Sequence, residues 1–245
     1  MKRHTSLLMA MIAASIFLFF LLNLLIGSVD IPLSSVVNIL LGGEEQSVVW
    51  QNIVLKSRVP QALTALVAGA GLSISGLQMQ TVFRNPLAGP SVLGISSGAS
   101  LGVAFAVLIS GSIGGVALSN MGYFGEMALT VSATIGAFTV MAIIVYVSQK
   151  VRGNVTLLII GVMIGYVANA IIGVLKYFSV EEDIRAYVIW GLGSFSRVSG
   201  DQMVLFVCLM LVLMPLSFLL IKTMNLLLLG DSYARNLGLH IKRAR

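Results

Sequence analysis

The sequence carries very little charge. Asp, Glu, Lys and Arg make up only 10% of the 245 residues, whereas hydrophobic residues make up 58% and the mean hydropathy is +1.00. Soluble domains contain about 25% charged residues. A chain with so few charges could not cover itself with a hydrated surface. This excludes the soluble classes and predicts a protein whose solvent is largely lipid.

Cysteine and histidine are scarce as well. The single cysteine, Cys208, excludes an intrachain disulfide and implies no thiolate metal site. The two histidines, His4 and His240, lie outside the apolar stretches, so the G-x-S-x-G match around Ser96 has no base beside it. A membrane-embedded enzyme is therefore disfavoured. The sequence also has no Walker A motif, so any ATP would bind to another chain.

The apolar residues are gathered into six long stretches. Each is continuous and near the roughly 20 residues of a membrane-spanning helix, about twice the length of a barrel strand. We predict an all-α polytopic transmembrane helical bundle with spans at approximately Leu7–Ile26, Ala62–Val82, Val92–Ser110, Phe124–Val147, Val155–Leu175 and Met203–Ile221. The first stretch is too long for a signal peptide and no cleavage site follows it, so we expect an uncleaved span.

The basic residues predict an orientation. With the amino terminus inside, ten of the 15 Lys and Arg residues fall on inner segments and five on outer ones. This agrees with the positive-inside rule and puts both termini in the cytoplasm. The net charge of +6 forms no stripe or block, so we do not predict nucleic acid as a partner.

Two connections between spans are predicted to contain helices. The first outer segment has room for a surface helix around Leu33–Leu41, closed by the turn signal Gly42-Gly43. The connection from Lys176 to Gln202 mixes charges with aromatic residues, which is typical of a helix anchored at the membrane interface. No composition shift marks a second domain, so residues 1–245 are predicted to form one transmembrane domain.

Small residues recur at four-residue spacing within the spans, namely Gly69 and Ser73, then Gly94, Gly98 and Gly102, then Gly161 and Gly165. Such spacing places them on one helix face and favours close helix packing in lipid. A role in helix sliding is the alternative. The remaining polar residues of the spans are the uncharged Gln78, Gln80, Tyr166 and Asn169, which either bond a neighbouring helix or line a wet pathway.

Two polar segments follow spans on the inner side. Arg84-Asn85-Pro86 begins a segment that ends at Pro90, and Pro86 biases Asn85 away from helix, so we predict a fixed turn. The second segment follows Leu228: Asp231 is expected to cap a short helix that Gly238 ends. This helix could rest on lipid headgroups or dock into a groove on a soluble partner, and the residues alone leave both open.

Several motifs resemble those of the FecCD-type permeases, the membrane subunits of ATP-binding-cassette importers for siderophores, haem and cobalamin. They are Arg58-Val-Pro-Gln-Ala-Leu, Gly69-Ala-Gly-Leu-Ser-Ile-Ser-Gly-Leu-Gln-Met-Gln80, Arg84-Asn-Pro-Leu-Ala-Gly-Pro90, Leu93-Gly-Ile-Ser-Ser-Gly-Ala99 and Leu229-Gly-Asp-Ser-Tyr-Ala-Arg-Asn-Leu-Gly238. Together they run along nearly the whole chain, and their combination is specific.

The resemblance implies roles for residues at both membrane faces. Arg58 would face outward and pair with glutamates of a substrate-binding protein, and Gln61 stands where the family often has a second arginine. Residues 225–241 would form a cytoplasmic coupling segment that sits in a cleft of the ATPase subunit. Its expected contact residues are Gly230, Asp231, Ala234, Arg235, Leu237 and Gly238.

The resemblance also implies a translocation path. Asn154 and Thr156 would belong to an inner gate, although Val155 departs from the family's hydroxyl-rich pattern, and Tyr166 and Asn169 would line the path. The family has about ten spans of roughly 20 residues each, so this chain is expected to lack the last four and to be truncated at its carboxyl end.

The function implied is that of an importer permease in a bacterial inner membrane. Its expected partners are a second permease chain, identical or related, ABC ATPase subunits that carry ATP and magnesium, a periplasmic or lipoprotein binding protein, and membrane lipid. No cofactor is expected on this chain. The alternative is a secondary carrier or channel, which typically needs acidic residues within its spans; the spans contain none near the midplane.

Overall fold

In the computed structural model, residues 2–43, 47–109, 122–151, 153–196 and 198–240 are described, and they form helices joined by turns, without a strand. The helices are α1 (Lys2–Leu25), α2 (Leu33–Leu40), α3 (Val48–Ile53), α4 (Val59–Phe83), α5 (Ile95–Ala104), α6 (Tyr123–Ser148), α7 (Asn154–Phe178), α8 (Glu181–Gly191), α9 (Gly200–Phe218), α10 (Ile221–Leu228) and α11 (Asp231–Asn236). Five-residue π-helical turns, Val54–Arg58 and Phe105–Ile109, follow α3 and α5. The all-α polytopic fold predicted from the sequence is confirmed.

Five helical stretches are long and apolar enough to cross a membrane: His4–Leu25, Val48–Phe83, Phe124–Ser148, Val155–Phe178 and Gly200–Phe218. They match five of the six predicted spans. At the third predicted span the described helix, Ile95–Ile109, is shorter than the membrane thickness requires. Its predicted last residue, Ser110, lies outside the described residues.

The second span begins earlier than predicted. Instead of starting near Ala62, the helix is continuous over 36 residues from Val48 to Phe83. The π-helical turn ends just before Pro60, and its last bond runs from the amide of Val59 to the carbonyl oxygen of Val54. Because Pro60 has no amide proton, a locally widened turn lets the helix pass a residue that cannot donate.

The chain forms two compact units. The first contains residues 1–72 and 194–217. Its core is made by the end of α1, by α2 and by the π-helical turn before α4, where Leu24, Val36, Ile39 and Val54 are buried. The predicted surface helix is confirmed as α2, and Gly42, with φ of +77°, forms the turn after it.

The second unit contains residues 73–193 and 218–245. One of its cores joins α5 and the following π-helical turn to α7 and α8, through Val103, Leu108, Ile172 and Tyr187. The other surrounds the turn between α4 and α5 and includes Leu93. The helix predicted between Lys176 and Gln202 is confirmed as α8.

Candidate functional site

The helices α5 and α6 cross with their backbones in contact. A Cβ atom on Gly102 would lie 2.1 Å from the carbonyl oxygen of Ser132, and one on Gly98 would lie 2.7 Å from the carbonyl oxygen of Gly136. A Cβ on Gly136 would in turn lie 2.1 Å from the carbonyl oxygen of Gly98. Only glycine fits these positions, because no side chain can share that space with a main-chain oxygen.

The start of α5 also lies close to α7. Gly94 precedes α5 with φ of +75°, and a Cβ on it would lie 2.7 Å from the carbonyl oxygen of Gly161. A Cβ on Gly161 would lie 2.7 Å from the Cα of Leu93, and one on Gly165 would lie 3.2 Å from the hydroxyl oxygen of Ser97. The glycines singled out in the sequence thus fix how α5 sits between α6 and α7.

A polar recess of about 320 Å³ lies where α5 begins beside α7. Its lining residues are Ser91, Val92, Gly94, Ser97, Gly161, Val162, Gly165, Tyr166 and Asn169. Tyr166 and Asn169 are exposed at its edge. The recess therefore brings both predicted path residues together with hydroxyls and glycine backbones, and it contains no charged side chain.

A larger cavity of about 820 Å³ between α5, α6 and α7 has a different character. Apart from Ser132 and Thr139, its wall consists of glycine, alanine and larger apolar side chains. Such a wall suits hydrocarbon rather than a hydrophilic solute. The polar recess is the better candidate for a transport surface.

The predicted gate residues lie at the beginning of α7. Thr156 is exposed in the first turn, whereas the side chain of Asn154 lies outside the described part. Tyr166 and Asn169 define the face of α7 that borders the recess. At 3.6 residues per turn, Thr156 points about 110° away from the middle of that face, whereas Val155 lies close to it. The structure does not bring Thr156 into the recess.

Arg58 is not placed as the resemblance implied. It is only 5% exposed, and its guanidinium donates hydrogen bonds to the carbonyl oxygens of Leu24 and Leu25, both at 2.8 Å, and of Val29. The expectation of an outward-facing cation is therefore corrected. The last carbonyls of α1 have no helical donors and form the negative end of its dipole, so they attract a buried cation.

The neighbours of Arg58 differ in exposure. Gln61 is half-buried on α4, whereas Lys56, in the same π-helical turn as Arg58, is exposed. The exposed positive charge of this turn therefore belongs to Lys56.

Arg84 begins the predicted turn and has φ of +49°, a left-handed conformation. Asn85 holds the turn: its side-chain oxygen accepts from the amide of Leu87 at 2.9 Å, and its carbonyl accepts from the amide of Ala88 at 3.0 Å. Pro86 and Pro90 fix φ near either end of the segment. Arg84 itself reaches across to the carbonyl oxygen of Leu227 in α10, with a donor distance of 3.0 Å.

The predicted coupling segment is described as far as residue 240. Its short helix begins at Asp231 rather than Ser232, so Gly230, with φ of +109°, takes the capping position assigned to Asp231. The side chain of Asp231 lies outside the described ones. The predicted stop is confirmed at Gly238, where the amides of Gly238 and Leu239 bond back to α11, as in a Schellman motif.

One face of α11 is turned inward and the others are open. Ala234 is fully buried, whereas Tyr233 and Leu237 are 56% and 55% exposed. Arg235 is exposed too. Outside the apolar spans, this six-residue helix therefore offers an aromatic and a cationic side chain, and Leu237 directly after it offers an aliphatic one.

Sequence reasoning missed several contacts. Gly27 leaves room for Arg58, since a Cβ there would lie 2.7 Å from its Nη2 atom. Asp183 is 2% exposed and one of its carboxyl oxygens has no hydrogen-bond partner. Burial, aided by the Glu182 carboxylate, raises the pKa of the Asp183 carboxyl. Neither the opposing glycine at 136 nor the Arg84–Leu227 bond has a local sequence signal.

Among the described residues, no group of histidine, cysteine and acidic side chains is suited to hold a metal ion. What the fold and the site define together is a multi-span helical membrane protein whose glycine-packed helices border a neutral polar recess. The chain belongs to the FecCD transport family, whose model matches residues 15–245.

Its relatives are permeases. It is 35% identical over 198 residues to the hemin transport system permease protein HmuU of Yersinia pestis. The aligned residues cover 80% of this chain and 56% of HmuU. It is 38% identical over 191 residues to an iron chelatin transport system permease protein of Helicobacter pylori, covering 77% and 53%. The vitamin B12 import system permease protein BtuC of Klebsiella pneumoniae is 35% identical over 197 residues, covering 80% and 56%. This chain thus spans just over half the length of these relatives.

Among solved structures, a metal-chelate type ABC transporter in an inward-facing conformation is similar in fold. The TM-score is 0.74 with 27% sequence identity, covering 93% of this chain and 66% of that one.

Proposed function

We propose that this chain is the membrane-spanning permease subunit of an ATP-driven importer in a bacterial inner membrane, with its amino terminus in the cytoplasm. It pairs with a second permease chain around a central path. ABC ATPase subunits below it supply the energy, and a binding protein above it delivers the solute. The chain itself forms and breaks no covalent bond in the solute.

The observation that carries this proposal is the exposed surface of α11 in a chain of this family. Leu237 directly follows α11, and its amide donates to the carbonyl oxygen of Tyr233 at 3.1 Å, so the two exposed side chains lie on the same face. Exposed apolar side chains on a short helix outside the spans suit a groove on a soluble protein better than water. This favours ATPase docking over a helix that only rests on lipid.

The polar recess supports the second element, the path. Tyr166 and Asn169 offer hydrogen bonds without charge, so a hydrophilic solute could pass without being held tightly. The relatives named for hemin, iron chelatin and vitamin B12 suggest the solute class: haem, an iron chelate or a cobalamin. On the outer face, the binding protein would meet the exposed Lys56 rather than the buried Arg58.

ATPase docking can be tested by co-purification. We expect Leu237→Asp to abolish recovery of the ATPase subunit with tagged permease, because it places a charge in an apolar contact. Leu41→Asp is the matched control: Leu41 is 82% exposed at the end of α2, far along the chain from the coupling segment. Equal ATPase recovery with both variants would contradict the proposal.

The solute class needs a transport assay. Cells that express the permease with its ATPase and binding protein would be offered labelled hemin, a labelled ferric siderophore or labelled cobalamin. We expect uptake of one of the three that stops when ATP is depleted. Uptake that persists without ATP would instead favour a secondary carrier.

A further inference from the structure

We propose that Arg84 is a positioning residue that ties the coupling segment to the polar recess, so that movement of α11 reaches the path through the turn between α4 and α5. The proposal rests on the proposed function, because coupling presupposes an ATPase bound at α11. Every contact in the argument lies within the second compact unit.

The first link is the carbonyl oxygen of Leu227. It accepts from the amide of Gly230 at 3.2 Å and from the guanidinium of Arg84 at 3.0 Å. Gly230 joins α10 to α11 with φ of +109° and ψ of 151°, a conformation that residues with a side chain rarely adopt. Arg84 therefore donates to the same carbonyl oxygen that accepts from Gly230, the residue at which the chain turns from α10 into α11. We call Gly230 the hinge of the coupling segment. Leu227 is 1% exposed, which anchors this oxygen to the core.

The second link is the stiffness of the turn that carries Arg84. The amides of Arg84 and Asn85 bond back to α4, at the carbonyl oxygens of Thr81 and Gln80. The side chain of Asn85 closes the next bend, and Pro86 follows with its fixed φ. A segment bonded in this way transmits a displacement as a unit rather than absorbing it.

The third link is the wall of the recess. The turn continues through Ser91 and Val92, which line the recess, to Gly94, whose backbone touches Gly161 of α7. Tyr166 and Asn169 follow on α7 at the edge of the same recess. A continuous set of contacts therefore runs from the hinge at Gly230 to the side chains of the proposed path.

The variant that tests this is Arg84→Asn. Asparagine tolerates the left-handed conformation that Arg84 adopts, so the turn keeps its backbone while the guanidinium is removed. Lys150→Asn is the control, since Lys150 is an exposed cation of another connection that bonds only locally to Tyr146 among the contacts described.

The first measurement is hydrogen exchange in the permease reconstituted without ATPase. We expect amides of residues 228–237 to exchange about tenfold faster or more in Arg84→Asn, as for a lost hydrogen bond to a charged donor. Lys150→Asn should leave these rates unchanged. Unchanged exchange in Arg84→Asn would overturn the positioning role.

The second measurement is ATP hydrolysis by the assembled transporter. We expect Arg84→Asn to reduce stimulation by the loaded binding protein by about fivefold or more, the usual lower bound of allosteric coupling, while the ATPase still co-purifies. Arg84→Lys should restore part of it. Full stimulation in Arg84→Asn would overturn transmission. If no ATPase binds the unaltered permease, the proposed function fails, and so does the proposed transmission of movement from α11 to the path. The exchange rates would still decide whether Arg84 holds the coupling segment in place.

Discussion

The helices α4 and α5 have similar small-residue patterns, but several of their glycines differ in what surrounds them. In α5, Gly98 and Gly102 press against the backbone of α6. In α4, a Cβ atom added to Gly69 or Gly76 would meet no described atom of a neighbouring element within 4 Å. The four-residue spacing of small residues therefore identifies one face of a helix. Whether that face requires glycine depends on how closely a neighbouring helix packs against it. The comparison ranks substitutions by what a new methyl group would meet.

The largest effect is expected for Gly102→Ala. The new Cβ would lie 2.1 Å from the carbonyl oxygen of Ser132, so α5 and α6 must separate, at a cost of about 3 kcal/mol. The measurement is the apparent midpoint of thermal unfolding in detergent. Gly69→Ala is the control, and we expect it to be neutral or slightly stabilising because alanine favours helix. Similar losses in both variants would break the comparison.

A somewhat smaller effect is expected within α7. Gly161→Ala places a Cβ 2.7 Å from the Cα of Leu93, and we expect a loss of about 2 kcal/mol because the turn must shift. A Cβ on Gly173, in the same helix, would meet no described atom of a neighbouring element within 4 Å, so Gly173 serves as the matched control. Equal unfolding midpoints for Gly161→Ala and Gly173→Ala would show that α5 does not rest on α7 as described.

In Gly27→Ala the new methyl group would meet a side chain, that of Arg58, which hydrogen bonds hold in place. The new Cβ would lie 2.7 Å from Nη2 of Arg58, and we expect a loss of about 1 kcal/mol because the guanidinium must give up bonds to α1. The check is a double-mutant cycle with Arg58→Gln. We expect the cost of Gly27→Ala to vanish in that background. An undiminished cost would mean that Gly27 does not make room for Arg58.

The smallest effect is expected for Gly71→Ala. Its Cβ would lie only 2.1 Å from Cε of Met210, nominally as close as at Gly102, but a flexible thioether end can swing away. We expect a change within about 0.5 kcal/mol, measured by the same unfolding midpoint. A loss comparable to that of Gly102→Ala would show that distance alone governs the cost, whatever atom is met.

Hydropathy was enough to predict most of the fold. Apolar stretches of span length became long helices because main-chain groups in lipid must bond within their own segment. The turn at Gly42 and the helix stop at Gly238 could also be predicted, because glycine favours the positive φ that both positions adopt. The extension of the second span back to Val48 was missed because the residues before Pro60 are polar enough to resemble a connection.

The candidate site was harder to predict than the spans. Tyr166 and Asn169 could be picked out as polar residues within an apolar helix, and they do border the recess. The orientation of Arg58 could not, because its partners are main-chain oxygens at the end of another helix. The bond from Arg84 to Leu227 joins residues 143 positions apart, and nothing local in either segment indicates it.

The central claim is that these helices cross a membrane and leave α11 on the cytoplasmic side, where an ATPase can bind it. Cysteine accessibility in intact cells tests it most directly, after the exposed native Cys208 is replaced by alanine. We predict that a membrane-impermeant maleimide labels Leu41→Cys from outside, and labels Ser232→Cys only after the membrane is opened. Labelling of Ser232→Cys in intact cells would contradict the account.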